Sequence, residues 1–241
     1  MRYGIFADIH SNLEALDAVL AAISKENVDE YLCVGDMVGY GASPGICIER
    51  VKSITQNIVT GNHEHACAGL FAPSNLNEVA AGAVVWTRKT LPAEELEFFK
   101  TLPFVFENKD LVMVHGSLDA PQDFYYLFQP YEAKETFELL NKNICFIGHT
   151  HRPKAFVKRG TIISLISGYK VEINPDYKYV VNVGSVGQPR DGDIRASYCT
   201  YDTDKQEVEI KRVPYDIETA QKKIIEAGLP MVLAERLAVG K

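Results

Sequence analysis

The chain has 241 residues, 46% hydrophobic and 24% charged, with a formal charge of −7. That length and balance fit one soluble α/β domain with a sizeable core. They disfavour a polymeric nucleic-acid partner, because Lys and Arg form no run. A small anionic substrate stays compatible with the net charge, since a local metal or arginine can override it. The five cysteines, Cys33, Cys47, Cys67, Cys145 and Cys199, contain no C-x-x-C pair, which predicts reduced thiols behaving as small hydrophobes. The start, "MRYGIFADIHS", lacks the apolar stretch of a signal peptide, and no later run approaches a membrane span. The expectation is a cytoplasmic protein with no membrane partner.

In chain order, "YGIFAD" reads as a short buried strand. "NLEALDAVLAAISKE" follows, with Leu13, Leu16, Val19, Leu20 and Ile23 at helical spacing. "YLCVGD" is a second strand, and "SPGICIERVKSI" a helix with Pro44 near its start. "QNIVTGN" reads as a third strand ending in a glycine turn, followed by helices over about Leu76–Thr90 and Pro92–Leu102. This alternation predicts a parallel or mixed sheet covered by helices on both faces. The second half changes character. "FVFENKDLVMVHG" predicts a hairpin turning at Asn108–Asp110, then a helix over Tyr131–Asn141 and a strand in "NICFIGHTH". "KAFVKRG", "TIISLISG", "YKYVVNVGS", "ASYCTYDTD" and "EVEIKRVPYD" are short strands with turn residues between them, and helix returns from Asp216. No repeat, low-complexity tract or linker divides the chain, so residues 1–241 are expected to form a single domain.

The chemistry-bearing residues gather at strand ends. "FADIH" leaves Asp8 and His10, "CVGD" leaves Asp36, and "VTGNHEH" leaves Asn62, His63, Glu64 and His65. "VMVHG" leaves His115, and "FIGHTH" leaves His149 and His151; these stretches hold all six histidines. Loops at the carboxyl ends of strands converge on one rim in α/β sheets, which is where ligands bind. Carboxylate oxygens and imidazole nitrogens suit borderline divalent ions such as manganese, iron and zinc. The ligands outnumber the roughly four that one tetrahedral ion needs. Two ions sharing a bridging carboxylate use the set better, and such a pair can clamp the attacking and leaving oxygens of an in-line displacement at phosphorus. A zinc-protease reading of "HEH" fails, because that chemistry needs two histidines four apart on one helix face. His65 receives no role beyond a structural one.

The order D-x-H, G-D, G-N-H-E, H-G and G-H-T-H, from Asp8 to His151, resembles the calcineurin-like metallophosphoesterase superfamily. "GDMVGYGASPGICIERV" and "NVGSVGQPRDGDIRASY" resemble its small prokaryotic branch of phosphodiesterases and diadenosine-tetraphosphatase-like proteins. The resemblance implies a four-layer α-β-β-α sandwich with two mixed sheets. It implies one ion held by Asp8, His10, Asp36 and His151, and a second by Asp36, Asn62, His115 and His149, with Asp36 as the bridge. It also implies that His63 contacts the phosphate and protonates the leaving oxygen, and that Glu64 orients His63. Two cations lower the pKa of a bridging water, and the resulting hydroxide attacks phosphorus in line. The implied enzyme hydrolyses a small phosphorylated compound, a phosphodiester or a nucleotide-like substrate. The rival reading is a metal-bound interaction module without catalysis, as in the retromer subunit that shares this fold.

Weaker signals surround this core. Arg190 in "VGQPRDGD" follows a glycine–proline turn and either reaches a substrate phosphate or pairs with Asp191 or Asp193. Tyr40, between Gly39 and Gly41, either lines the rim or packs in its loop. The aromatics of "DFYYLFQPY" (Phe124, Tyr125, Tyr126, Phe128 and Tyr131) could stack a nucleobase. Capping the core or forming a homodimer patch is the favoured reading for them.

Overall fold

A computed structural model of the chain describes residues 1–72 and 76–241. Two mixed sheets stack face to face. The first has strand order β2-β1-β10-β11-β8 and the second β3-β4-β5-β9-β6-β7. The ranges are β1 (Arg2–Phe6), β2 (Glu30–Cys33), β3 (Val105–Glu107), β4 (Val112–Val114), β5 (Ile144–Ile147) and β6 (Lys154–Arg159). The remaining strands are β7 (Ile162–Ile166), β8 (Lys170–Glu172), β9 (Lys178–Asn182), β10 (Ala196–Asp202) and β11 (Glu207–Val213). β1 runs parallel to β2, and β4, β5 and β9 are mutually parallel neighbours; the other pairings are antiparallel.

Side-chain alternation along each strand builds the layers. Tyr3 and Ile5 of β1 point between the sheets and meet Ile144 and Phe146 of β5 and Tyr179 and Val181 of β9. The intervening positions point outward. Phe6 and Cys33 pack under α1 (Leu13–Ile23), α2 (Pro44–Ile54) and α5 (Ala93–Thr101). Cys145, Ile147 and Val180 pack under Phe137 of α6 (Lys134–Leu139). The result is helix, sheet, sheet, helix, the four-layer sandwich expected. The other helices are α3 (Asn62–Cys67), α4 (Glu78–Thr90), α7 (Ile217–Glu226) and α8 (Met231–Glu235). The last two, with the 3-10 turn Arg236–Ala238 that follows, form a cap over α4 and Tyr40, through Ala220, Ile224, Leu233 and Leu237 against Ala80 and Ala83. All five cysteines are buried and unpaired. Among the described residues no helix is long and apolar enough to cross a membrane.

Three local expectations need correction. "QNIVTGN" forms only a single parallel bridge, Cys33 to Ile58. It lies at the edge of the first sheet and turns into α3 too soon to extend a ladder. Asn62 is thus the first residue of a helix rather than part of a turn. Strand β8 was not expected, because only Val171 of its three residues is buried and its neighbours are Lys170 and Glu172. The helix expected over Tyr131–Asn141 is a 3-10 turn at Pro130–Ala133 followed by the shorter α6.

Candidate metal centre

The site forms where the carboxyl ends of parallel strands from both sheets face one another. Asp8 follows β1 and Asp36 follows β2; His115 follows β4, and His149 and His151 follow β5. Two buried groups of ligand atoms result. Asp8, His10, Asp36 and His151 each offer one atom within 4.8 Å of the others, and so do Asp36, His115 and His149. Asp36 belongs to both. His10 Nε2 lies 3.0 Å from His151 Nε2, 3.6 Å from Asp36 Oδ2 and 3.8 Å from Asp8 Oδ1. His115 Nε2 lies 3.2 Å from Asp36 Oδ2 and 3.9 Å from Asp8 Oδ1.

Backbone carbonyls fix the rings. Nδ1 of His10 bonds Val38 O at 3.0 Å, Nδ1 of His115 bonds Val34 O at 2.7 Å, and Nδ1 of His151 bonds Gln188 O at 2.6 Å. A carbonyl only accepts, so each Nδ1 carries a proton, and in the neutral ring Nε2 keeps a lone pair facing the cluster, as metal ligation requires. Asn62 Oδ1 and His149 Nε2 are buried and have no hydrogen-bond partner. Orphaned buried acceptors of this kind are costly unless something electrophilic meets them. The donor set is oxygen and imidazole without thiolate, and it fits divalent cations.

The backbone is bent to achieve this. Asp8 (φ 53°), His10 (48°), Asp36 (53°), Tyr40 (59°), His149 (67°) and His151 (57°) all adopt left-handed conformations. Each costs a non-glycine residue roughly 1–3 kcal/mol, and such strain persists only where the surroundings over-determine it. The surroundings do so here. Asp8 accepts from His149 N at 3.0 Å, Ser185 Oγ donates to Asp8 O at 2.8 Å, and Asn182 Nδ2 donates to Gly148 O and to Thr150 Oγ1. A Cβ on Gly61 would lie 2.1 Å from Asp36 Oδ1, so the glycine of G-N-H-E is a steric requirement of the carboxylate both groups share.

Glu64 departs from what the resemblance implies. Its carboxylate accepts from the backbone N–H of Asp36 (2.8 Å), Val38 (3.1 Å) and Gly61 (2.9 Å). It therefore clamps the Asp36 loop to the start of α3 and leaves the His63 ring alone. His63 Nδ1 is buried without a partner. The His63 ring packs 4.8 Å from the His10 ring and 4.5 Å from Tyr40, and a Cβ on Gly39 would strike Nδ1 at 2.1 Å. His63 N donates to Asp36 Oδ1 at 2.9 Å, which ties the residue to the shared carboxylate.

Electrostatics show a cluster in want of positive charge. Burial pushes Asp8 up, with Asp36 adding to it. Burial also acts to raise Asp36, but His115 and His63 outweigh it and hold that carboxyl well below the usual range. Burial opposes protonation of His115, yet Asp36 lifts that ring to about 10. His10, His149 and His151 are pushed well below the ordinary imidazole range by burial, with neighbouring rings and Arg190 adding to the effect. Protons thus do at Asp8 and His115 what cations would do better.

The peripheral residues also resolve. Tyr40 is nearly buried and sits 4.6 Å from the His10 ring. The Arg190 guanidinium lies 5.5 Å from the Tyr40 ring centre and donates to Gln188 Oε1 at 2.6 Å. Asp191 pairs with Arg212 and Asp193 with Arg195, so of the two readings of Arg190 the pairing with those acids is not the one seen. The aromatic stretch divides. Phe124 is buried against His65, Phe104 and His115, which gives His65 its structural place. Tyr126 stacks on His149 at 3.9 Å and 15°. Tyr125 and Tyr131 are exposed. A cleft of about 140 Å³, lined by Asn62, Phe71, Leu76, Asp123, Phe124, Tyr126 and His149, opens beside the second ligand group. Asn182, Ser185 and Gln188 lie in the stretch that resembles the small prokaryotic branch but receive no individual role from the sequence, and Arg236 lies in no motif.

Residues 1–206 match the model of the calcineurin-like phosphoesterase superfamily domain. The chain belongs to that superfamily. An uncharacterized protein of Methanocaldococcus jannaschii is 38% identical over 98% of this chain and 97% of its own length. The crystal structure of a metallophosphoesterase from Sphaerobacter thermophilus aligns over 100% of both chains at 38% identity, with a TM-score of 0.87. A hypothetical protein of Pyrococcus horikoshii shares the fold, at a TM-score of 0.81 and 20% identity over 100% of this chain and 98% of its own. The chain is therefore a metal-dependent phosphoesterase of the calcineurin-like superfamily, a hydrolase by class.

Proposed function

We propose that this superfamily member binds two divalent cations, Mn, Fe or Zn, and hydrolyses a phosphodiester or phosphoanhydride of a small, nucleotide-like compound. The observation that carries this is the pair of buried ligand groups that share Asp36. In our assignment Asp8, His10, Asp36 and His151 hold one ion, and Asp36, Asn62, His115 and His149 the other. Such a pair supplies an activated water nucleophile and charge against the equatorial phosphoryl oxygens. The protein residues do the rest. His63 stands beside His10 with Nδ1 unpartnered, and it donates the proton that the leaving oxygen needs. Burial holds its ring below the ordinary range, so it charges only when an anionic phosphoryl group arrives beside it. Glu64 acts at one remove by fixing the loop that carries Asp36. Arg190 and Tyr40 face the substrate, the guanidinium offering a fork to phosphoryl oxygens. We read residues 1–241 as one domain, since α7 and α8 share a core cluster with Tyr40. Five buried, unpaired thiols support a reducing, cytoplasmic setting.

The test is hydrolysis of bis-p-nitrophenyl phosphate and p-nitrophenyl phosphate with added manganese. Turnover of at least one is expected, and their ratio separates diesterase from monoesterase preference. Absence of turnover of both, or full activity in His63→Ala, would overturn the mechanism.

A further inference from the structure

The cap formed by α7 and α8 ends in a 3-10 turn, Arg236–Ala238, whose Leu237 is buried in the cluster containing Tyr40. That turn brings Arg236 to the rim of the metal centre. Its Nη1 lies 3.4 Å from Gln188 Oε1, the oxygen that already accepts from Arg190 Nε at 3.1 Å and Nη2 at 2.6 Å. Two guanidinium groups, from positions 46 residues apart, thus converge on one neutral amide oxygen. Neither forms an ion pair among the described residues; the nearby acids Asp191 and Asp193 are occupied by Arg212 and Arg195. Arg236 Nε is buried and lacks any partner. Like charges held together in a partly buried place repel unless an anion joins them, and one amide oxygen cannot offset two cations.

The scaffold under the pair is rigid and leads to the metal ligands. Gln188 is 2% exposed, and its backbone oxygen accepts from His151 Nδ1 at 2.6 Å. Its backbone N–H donates to Ser185 Oγ, which in turn donates to Asp8 O. The Arg190 N–H donates to His151 O at 3.2 Å. Tyr40 stands between, with Arg190 on its ring and His10 and His63 against it. The Arg190 guanidinium, which shares Gln188 Oε1 with Arg236, therefore sits one aromatic ring away from the His10 imidazole of the first ligand group. Arg236 lies beyond residue 206, where the superfamily match ends, so this half of the pair is contributed by the C-terminal cap.

We infer that Arg190 and Arg236 form a second anion subsite, which receives another phosphoryl group of the same substrate while the scissile phosphorus sits at the metal centre. The substrate class is then compounds carrying two or more linked phosphoryl groups, rather than simple monoesters. Planar forks suit this task, because each guanidinium can engage two oxygens of a tetrahedral oxyanion. Gln188 is the positioning residue that holds both. The inference rests on the hydrolytic reading above and narrows its substrate.

The experiment is calorimetric titration of the manganese-loaded protein with methylenediphosphonate and with phenylphosphonate, in wild type, Arg236→Ala and Arg236→Lys. Chelation of manganese in solution is the same for all three proteins and cancels in the comparison. Wild type should prefer the diphosphonate, and Arg236→Ala should cut that preference by about tenfold or more, the size expected for losing a charge-assisted partner. Arg236→Lys should restore part of it, which a merely structural arginine would not show. An unchanged preference in Arg236→Ala, an equal loss for both ligands, or no binding of the diphosphonate to wild type overturns the inference. Nitrophenyl ester turnover with an unchanged preference sinks this inference alone. An Arg236-dependent preference without any turnover sinks the hydrolytic reading alone.

Discussion

Asp36 is the residue on which the two ligand groups depend. It lies in both, accepts a backbone bond from His63 and is held from behind by Glu64. Replacing it with Asn should therefore abolish binding of both ions, read by metal analysis after reconstitution. His63 is different, since it touches the site without belonging to either group. His63→Ala should keep the full metal content and lose about 10²–10⁴ in kcat, the range for a missing general acid; loss of metal instead would make His63 a ligand. These roles were legible to unequal degrees. The candidate ligands stood out because His10, His115, His149 and His151 follow strands beside Asp8 and Asp36. The resemblance implies that Glu64 orients His63, whereas the start of α3 turns its carboxylate toward three backbone N–H groups. Arg236 was invisible, since no motif links position 236 to a loop near position 36; only packing of the cap does.

At the scale of elements, the centre is a set of strained turns locked by neighbours. Left-handed conformations at Asp8, His10, Asp36, His149 and His151 follow short strands, and residue types give little warning of them, because Asp and His tolerate that region only moderately. What fixes the turn after β5 is Asn182 at the end of β9, which bonds Gly148 and Thr150 and accepts from Gly184 N. Asn182→Ala should cost about 1–3 kcal/mol through the unpaired groups it leaves. Its metal affinity should fall as well, measurable by denaturant unfolding and metal titration; a stability loss with unchanged affinity would separate Asn182 from the site. Gly39→Ala tests the loop after β2. With φ +89° and a Cβ 2.1 Å from His63 Nδ1, it should displace His63 and lower kcat while both ions remain. Strand and helix identities were mostly readable from periodicity. The bridge at Ile58 and strand β8 were not, because an edge position leaves too few residues to show a period.

At the scale of the molecule, the centre couples metal, protons and stability. In chelated protein Asp8 and Glu64 are raised, and His115 is raised to about 10, so at neutral pH the folded chain holds protons that the unfolded chain releases. Through His115 the stability of the chelated protein should fall as pH rises from 7 toward 10, by up to about 1.4 kcal/mol per pH unit, with Asp8 adding to the fall only up to about pH 8 and Glu64 only up to about 7. Below about 6.5 the sign reverses for His10, His149 and His151, which are held neutral when folded and protonate on unfolding. The chelated protein should therefore melt highest near neutrality. The loaded protein should keep its stability above pH 7, since cations replace those protons; thermal melts with and without chelator, from pH 5 to 10, check both limbs. A two-ion centre bridged by Asp36 can be counted. After manganese reconstitution, metal analysis should find two ions per wild-type chain, one in His149→Ala, one in His151→Ala and none in Asp36→Asn. A single ion in the wild-type chain would contradict the account.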